Sequence, residues 1–197
     1  MEERMERQLI FLQEVDRLKG VERQSILMDG SRNENAAEHS WHICVFAMLM
    51  HEYAEEPKPD LNRVIRMLLV HDIVEADAGD TFAYDPKGNR DKKLREEEAA
   101  KRLFGLLPDD QRDECMALWR EFEAMETPEA LFANAADRVL PLLHNYRNNG
   151  ASWRTNGVTR SQVEKRLAPV RQIAPALWQY GMDLLARAVR QGMLKDA

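Results

Sequence analysis

Apolar residues recur along this chain at three- and four-residue intervals, and most such runs are bounded by a cap, a glycine or a proline. Met5, Leu9, Leu12, Val15 and Leu18 outline a first amphipathic helix that packs through one face, with Gly20 at the expected C-cap. Residues Val21 to Glu34 hold no sustained period and contain the turn signal Asp29-Gly30-Ser31, so a long loop is expected there. Asn35 with Glu38 three positions later reads as a capping box ahead of Trp41, Val45, Met48 and Leu49, which places His39 in the first turns of a second helix. Pro57 and Pro59 break the chain and Asp60 is placed to cap the next helix. Leu61, Val64, Ile65, Leu68 and Leu69 form its expected buried stripe up to His71 and Asp72, with the helix continuing or fraying toward Glu75.

Further on, Ala78-Gly79-Asp80 and Asp85-Pro86-Lys87-Gly88-Asn89 delimit an irregular connection. Asp91 opens a highly charged helix to about Phe104, read as a solvated face. Pro108 suits the first position of a helix through Phe122, and Thr127-Pro128-Glu129 starts another that carries Phe132, Ala136, Val139, Leu140 and Leu143. Thr159 or Ser161 can begin a further helix, and Trp178, Met182, Leu185 and Val189 support a last one. No stretch alternates with period two and no fixed repeat is present, so the expected fold class is all-α. A chain of 197 residues fits one domain, 1–197, that buries roughly 70% of its unfolded surface.

Composition narrows the function. With 44% hydrophobic and 31% charged residues the chain falls among ordinary folding domains. The apolar stretch Ile43 to Met50 is far short of the roughly 20 residues of a membrane span, and the N-terminus is rich in Glu and Arg; a cytoplasmic location without a membrane partner is expected. Cys44 and Cys115 stand in unlike contexts and suggest neither a disulfide nor a Cys-type zinc site. A net charge of −6 argues against a long nucleic-acid polymer as partner, because such binding rests on many Lys and Arg contacts. A small anion remains open if a metal and one or two arginines compensate it locally.

The candidate chemistry centres on His71-Asp72 at the end of Met67-Leu68-Leu69-Val70, with His39 upstream and Asp137 downstream. Neutral imidazoles and carboxylates suit a divalent metal, and such a set leaves positions open for water and substrate, a catalytic signature. Asp137 lies mid-helix among apolar neighbours, one turn before Pro141. Its charge needs either a cation or a partner on another helix, and the sequence leaves both readings open. His71 and Asp72 are adjacent, so they meet one ion only if it lies between their two directions. Glu75 follows His71 by four residues and shares its face, the placement of a general acid or base; a surface glutamate in an exposed last turn is the competing reading. His42, one turn from His39, competes with it as a ligand on spacing alone. His51 is expected to face solvent, and His144, about 10.5 Å of helical rise from Asp137, is too far to share its ion; packing or surface roles are expected for these histidines.

The run Arg32-Asn33-Glu34-Asn35-Ala36-Ala37-Glu38-His39-Ser40, then His71-Asp72-Ile73-Val74-Glu75 with Gly79-Asp80-Thr81, then Ala136-Asp137-Arg138, resembles the HD-domain metal-dependent phosphohydrolases. The similarity spans roughly residues 5 to 145 and is strongest to the 5'-deoxynucleotidase (YfbR-like) branch. It implies an HD-domain helical bundle with the metal site between helices, a metal-site core at about 20–145 and C-terminal helices at about 159–193. It implies one divalent ion, whether Mn, Co, Fe, Zn or Ni, held by His39, His71, Asp72 and Asp137, and so selects His39 over His42. Glu75 takes the acid or base role, Asp80 matches a second active-site acid, and Arg23 matches a phosphate-holding arginine. Gln24 stands where that branch carries a tryptophan beside the sugar, which leaves the sugar open. The implied reaction is hydrolysis of a (deoxy)nucleoside 5'-monophosphate to nucleoside and phosphate, by a homodimer. A nucleotide polyphosphate or phosphodiester substrate is the alternative, set back by an expected scarcity of Lys and Arg near the site; a non-catalytic metal-binding scaffold is another. The segment Asn145 to Trp153 suits a base pocket, a dimer contact or a helix-ending loop closed by Gly150.

Overall fold

A computed structural model describes residues 1–197. Helices dominate: α1 (Glu2–Asp16), α2 (Ala36–Met50), α3 (Leu61–Val70), α4 (Glu75–Ala78), α5 (Lys92–Phe104), α6 (Asp109–Ala124), α7 (Pro128–Arg147), α8 (Ala151–Thr155), α9 (Arg160–Leu167), α10 (Val170–Ile173) and α11 (Pro175–Arg190). The class is all-α with one small antiparallel hairpin, β1 (Glu22–Ile26) and β2 (Asn33–Asn35).

That hairpin replaces the long loop expected over Val21 to Glu34. Its pairing runs from Glu22 opposite Asn35 to Ile26 opposite Asn33, so β1 carries two more residues than its partner across the same span. β1 alternates in burial, but its buried positions are the polar Arg23 and Ser25, so no alternation of hydrophobic residues marks it in the sequence. The turn itself falls at the expected Asp29-Gly30-Ser31, where the Asp29 carboxylate accepts from the Ser31 backbone N–H at 2.9 Å.

Local signals place the helix starts. The Glu38 N–H donates to the Asn35 side chain at 2.9 Å and the Asn35 N–H returns a bond to the Glu38 carboxylate at 3.2 Å, completing the capping box. Asp60 caps α3 through the Asn62 N–H, and Thr127 caps α7 with Pro128 at its first position. Between α3 and α4 the chain tightens to three-residue hydrogen bonds, Val70 to Ile73 and Asp72 to Glu75, so the expected continuation is a compact turn.

α7 is the central helix, buried against α2, α3, α6, α10 and α11. Its Phe132 and Leu140 join Ile43 of α2, Met67 and Leu68 of α3, and Leu184 of α11 in one apolar cluster. A second cluster gathers Phe11, Leu18, Leu103, Phe104 and Trp119 beneath α1 and α5. No helix is long and apolar enough to cross a membrane.

Two helices face the opposite way from their most regular apolar stripes. On α2, Trp41, Met48 and Leu49 are 65%, 58% and 62% exposed, while Ile43, Cys44, Phe46 and Ala47 are buried. On α1, Met5, Leu9 and Leu12 are exposed and Phe11 is the buried residue. A helix apolar on both sides offers two candidate faces, and its neighbours decide which is covered. Leu69, assigned to the buried stripe of α3, is likewise exposed.

Candidate metal centre

The start of one helix, the end of a second with the turn after it, and the middle of a third converge on one buried polar cluster. His39 comes from the first turn of α2, His71 from the C-cap of α3, Asp72 from the following turn and Asp137 from the middle of α7. His39 Nε2 lies 3.1 Å from Asp137 Oδ1, and His71 Nε2 lies 3.0 Å from Asp72 Oδ1. The rings of His39 and His71 stand 5.9 Å apart, centre to centre, and the ligand atoms of His39, His71 and Asp72 all fall within 4.8 Å of one another. The four residues singled out as ligands are therefore neighbours, and His42 is not among them.

The second nitrogens of the two histidines differ in their surroundings. His71 Nδ1–H donates to the Leu68 carbonyl at 2.7 Å, which leaves Nε2 as the lone-pair nitrogen aimed into the cluster, without a hydrogen-bond partner. His39 Nδ1 faces the buried carboxylate of Glu34 at 3.4 Å. A carboxylate so placed is where metal-bound imidazoles commonly find outer-shell support, although at this distance the two atoms do not form a hydrogen bond of normal geometry. A bare Nε2 facing a carboxylate oxygen at about 3 Å sets acceptor against acceptor unless a proton or cation lies between them. The donor set thus fits a divalent ion with nitrogen and oxygen ligands.

Pro141 contributes to the same place. It has no N–H to give to the carbonyl four residues back, that of Asp137, so this turn of α7 lacks one helical hydrogen bond beside the acid. The Asp137 carboxylate also accepts from Arg166 of α9 at 3.1 Å. Burial pushes its pKa up, but the hydrogen bond with His39 and the charge of Arg166 outweigh that and hold it well below the usual carboxylate range.

Arg23 projects from β1, rather than from a loop, into the midst of four carboxylates. It donates to Asp72 at 2.8 Å and stands 3.7 Å from Glu75, 3.7 Å from Asp80 and 3.9 Å from Asp137. Its Nε has no partner. Gln24, next on the strand, is exposed at the mouth of the same cleft.

Glu75 is buried at the start of α4, so the reading of a surface glutamate does not hold. Burial, together with the charges of Asp72 and Asp80, raises its pKa well above the carboxylate range despite Arg23. Burial also raises Asp80, against the pull of Arg23. Asp72 goes the other way: burial is outweighed by His71 and Arg23, and its pKa is lowered. The cluster therefore sets two carboxylates whose pKa is lowered beside two whose pKa is raised, the separation that acid–base chemistry requires.

The cleft contains groups the sequence did not disclose. Lys92, Arg138 and Arg166 line it with Arg23, so the expected scarcity of basic residues is wrong. These residues are scattered over α5, α7 and α9, and no local spacing unites them. Glu96 of α5 also lines it, buried within the helix read as a solvated face, 3.4 Å from Lys92 and with its pKa pushed by burial to about 7. Asn145 and the buried Trp153 close the inner wall, so the segment Asn145 to Trp153 adjoins the site. His51 packs edge-on to Phe132 and bonds with the Pro59 carbonyl at 2.8 Å, half-buried where solvent exposure was expected.

A crystal structure of a protein from Magnetospirillum magnetotacticum, described as a predicted metal-dependent phosphohydrolase, superposes with a TM-score of 0.94 at 51% identity, covering 98% of this chain and 97% of that one. Human 5'-deoxynucleotidase HDDC2 is 34% identical over 136 residues, 68% of this chain and 65% of the relative. The chain thus spans just under two thirds of the length of the human and mouse relatives it matches. A protein from Pyrococcus horikoshii shares the fold with a TM-score of 0.62 at 21% identity. A model described as HD domain matches residues 15–178, a stretch that holds all four candidate ligands and every helix that carries them, and the chain belongs to that HD-domain family.

Proposed function

We propose that the protein is a metal-dependent phosphohydrolase that cleaves (deoxy)nucleoside 5'-monophosphates to nucleoside and inorganic phosphate. The observation that carries this reading is the meeting of His39, His71, Asp72 and Asp137 with Glu75, Asp80 and Arg23 in one cleft. The similarity to the Magnetospirillum protein and to human HDDC2 supports it.

His39, His71, Asp72 and Asp137 would hold one divalent ion. When bound, such an ion polarises a phosphoryl oxygen and lowers the pKa of water from 15.7 toward about 7. Arg23 supplies bidentate donors to the phosphate, its unpartnered Nε among them. Lys92, Arg138 and Arg166 extend the positive lining outward. Glu75, whose buried setting favours its protonated form, is placed to donate a proton to the departing 5'-oxygen, and Asp80 stands beside it as a second proton carrier. Gln24 at the rim leaves the sugar edge with an amide rather than an aromatic wall.

The added basic residues favour a second reading, a nucleotide polyphosphate substrate, more than the sequence did. Release of pyrophosphate or tripolyphosphate rather than orthophosphate would select it. The direct test is a screen of nucleoside monophosphates with Mn²⁺ and Co²⁺, followed by Glu75→Gln. That variant is expected to lower kcat by about 10²- to 10⁴-fold while the ion is retained; full activity with metal bound would remove Glu75 from the mechanism.

The same proposal takes residues 1–197 as a single unit acting in the cytoplasm as a homodimer. The exposed apolar face of α2, with Trp41, Met48 and Leu49, supports a self-association surface.

A further inference from the structure

Beside the candidate centre lies a second histidine–carboxylate cluster that the proposed reaction does not use. Glu34 of β2, His42 of α2 and His144 of α7 bring one ligand atom each within 4.8 Å of the others. His42 is the next turn of α2 after His39, and His144 lies two turns along α7 from Asp137, so the two helices that meet at the first cluster meet again here. The rings of His42 and His144 are 5.4 Å apart, centre to centre.

The burial of these groups is costly as they stand. His144 is 2% exposed, and neither of its ring nitrogens has a hydrogen-bond partner of normal geometry. Glu34 is 1% exposed, and its Oε2 likewise lacks a partner of normal geometry, its nearest nitrogen being His39 Nδ1 at 3.4 Å. Buried imidazole nitrogens and carboxylate oxygens left in this way each forgo the bond they would have in water. The carboxylate has two oxygens, so it can support His39 with one and serve a further partner with the other.

We infer that Glu34, His42 and His144 form a second divalent-cation site, of the two-histidine, one-carboxylate type, that pins the β1–β2 hairpin and α2 to α7. Zinc is the ion such a set suits best, because it takes imidazole and carboxylate together in tetrahedral geometry. Ligand atoms around a tetrahedral ion with bonds of about 2.0–2.1 Å lie about 3.4 Å apart, so the three side chains draw in slightly on binding. His42 is half-buried, and Trp41 stacks beside it at 5.8 Å. Asn148 already ties the hairpin to α7 by donating to the carbonyls of Ile26 and Leu27 at 3.1 and 2.9 Å. A cation here would lock the same junction, and with it the helix faces that carry His39 and Asp137. The second site does not require turnover at the first.

Zinc stoichiometry of the full-length chain tests this. The protein is stripped with chelator, dialysed against Zn²⁺ and assayed for bound metal, in parallel with His42→Gln and His144→Gln. Each variant is expected to bind one equivalent fewer than the unsubstituted chain, and the upward shift of Tm on the corresponding Zn²⁺ addition to be lost. His42→Gln changes a half-exposed position and serves if His144→Gln fails to fold. Equal stoichiometry and an equal Zn²⁺-dependent Tm shift in the chain and its His42→Gln variant overturn the site, whatever the first cluster binds.

Discussion

At the scale of single residues, the environment rather than the residue type sets each acid's role. Asp72, Glu75, Asp80 and Asp137 crowd around Arg23, yet Asp72 and Asp137 are pulled down by histidine and arginine partners while Glu75 and Asp80 are pushed up by burial. Glu96 shows the cost most plainly. Its folded pKa of about 7 lies above the ordinary 4.5, so the fold favours its protonated form. Its contribution is fully present below about pH 4.5 and is lost as pH rises through 7, an effect on the order of 3 kcal/mol at 1.36 kcal/mol per pKa unit. Glu96→Gln removes the charge and keeps the shape. It is expected to raise Tm at pH 8 and leave it nearly unchanged at pH 4.5; an equal change at both values would show that the carboxylate is not penalised by burial.

At the scale of elements, starts and stops are local and faces are not. The capping box at Asn35, the cap at Asp60 and the Thr127-Pro128 start were legible because each satisfies N–H groups a few residues away. The end of α7 is equally local but carries a tertiary constraint. Asn149 and Gly150 take positive φ there, and the Gly150 N–H donates to the Asn145 carbonyl. A Cβ on Gly150 would meet the Met193 carbonyl oxygen at 2.1 Å in a backbone conformation that already disfavours side chains. Gly150→Ala is therefore expected to destabilise the protein by about 2 kcal/mol or more, read as a drop in the denaturant midpoint at unchanged m-value. A loss under 0.5 kcal/mol would mean that the Met193 strand of chain yields freely. The outward stripes of α1 and α2 show the limit: period identifies a helix with an apolar side, but not which side is covered.

For the whole molecule, the packing of α7 between α2, α3 and α9 makes the site. Asp137 reaches His39 across 98 positions of sequence and Arg166 across 29, and no local pattern announces the second of these contacts. The uncovered face of α2 belongs to the same scale. Leu49→Glu, with Trp41→Glu as a second variant, is expected to convert the proposed dimer to a monomer in light scattering while leaving the helical circular dichroism intact. A monomeric unsubstituted chain would remove the dimer from the proposal.

The sequence alone determined the helical class and the positions of most helix ends, because caps and periodicity are properties of neighbours along the chain; it raised His71, Asp72, Asp137 and either His39 or His42 as ligand candidates, and the family resemblance, not spacing, singled out His39. Tertiary structure decided that Glu75 is buried, that Arg23 stands on a strand among four acids, that Lys92, Glu96 and Arg166 share the cleft, and that Glu34, His42 and His144 meet. Each of these depends on which helix faces are pressed together, and that choice is made by the summed burial of distant apolar surfaces rather than by any segment's own pattern.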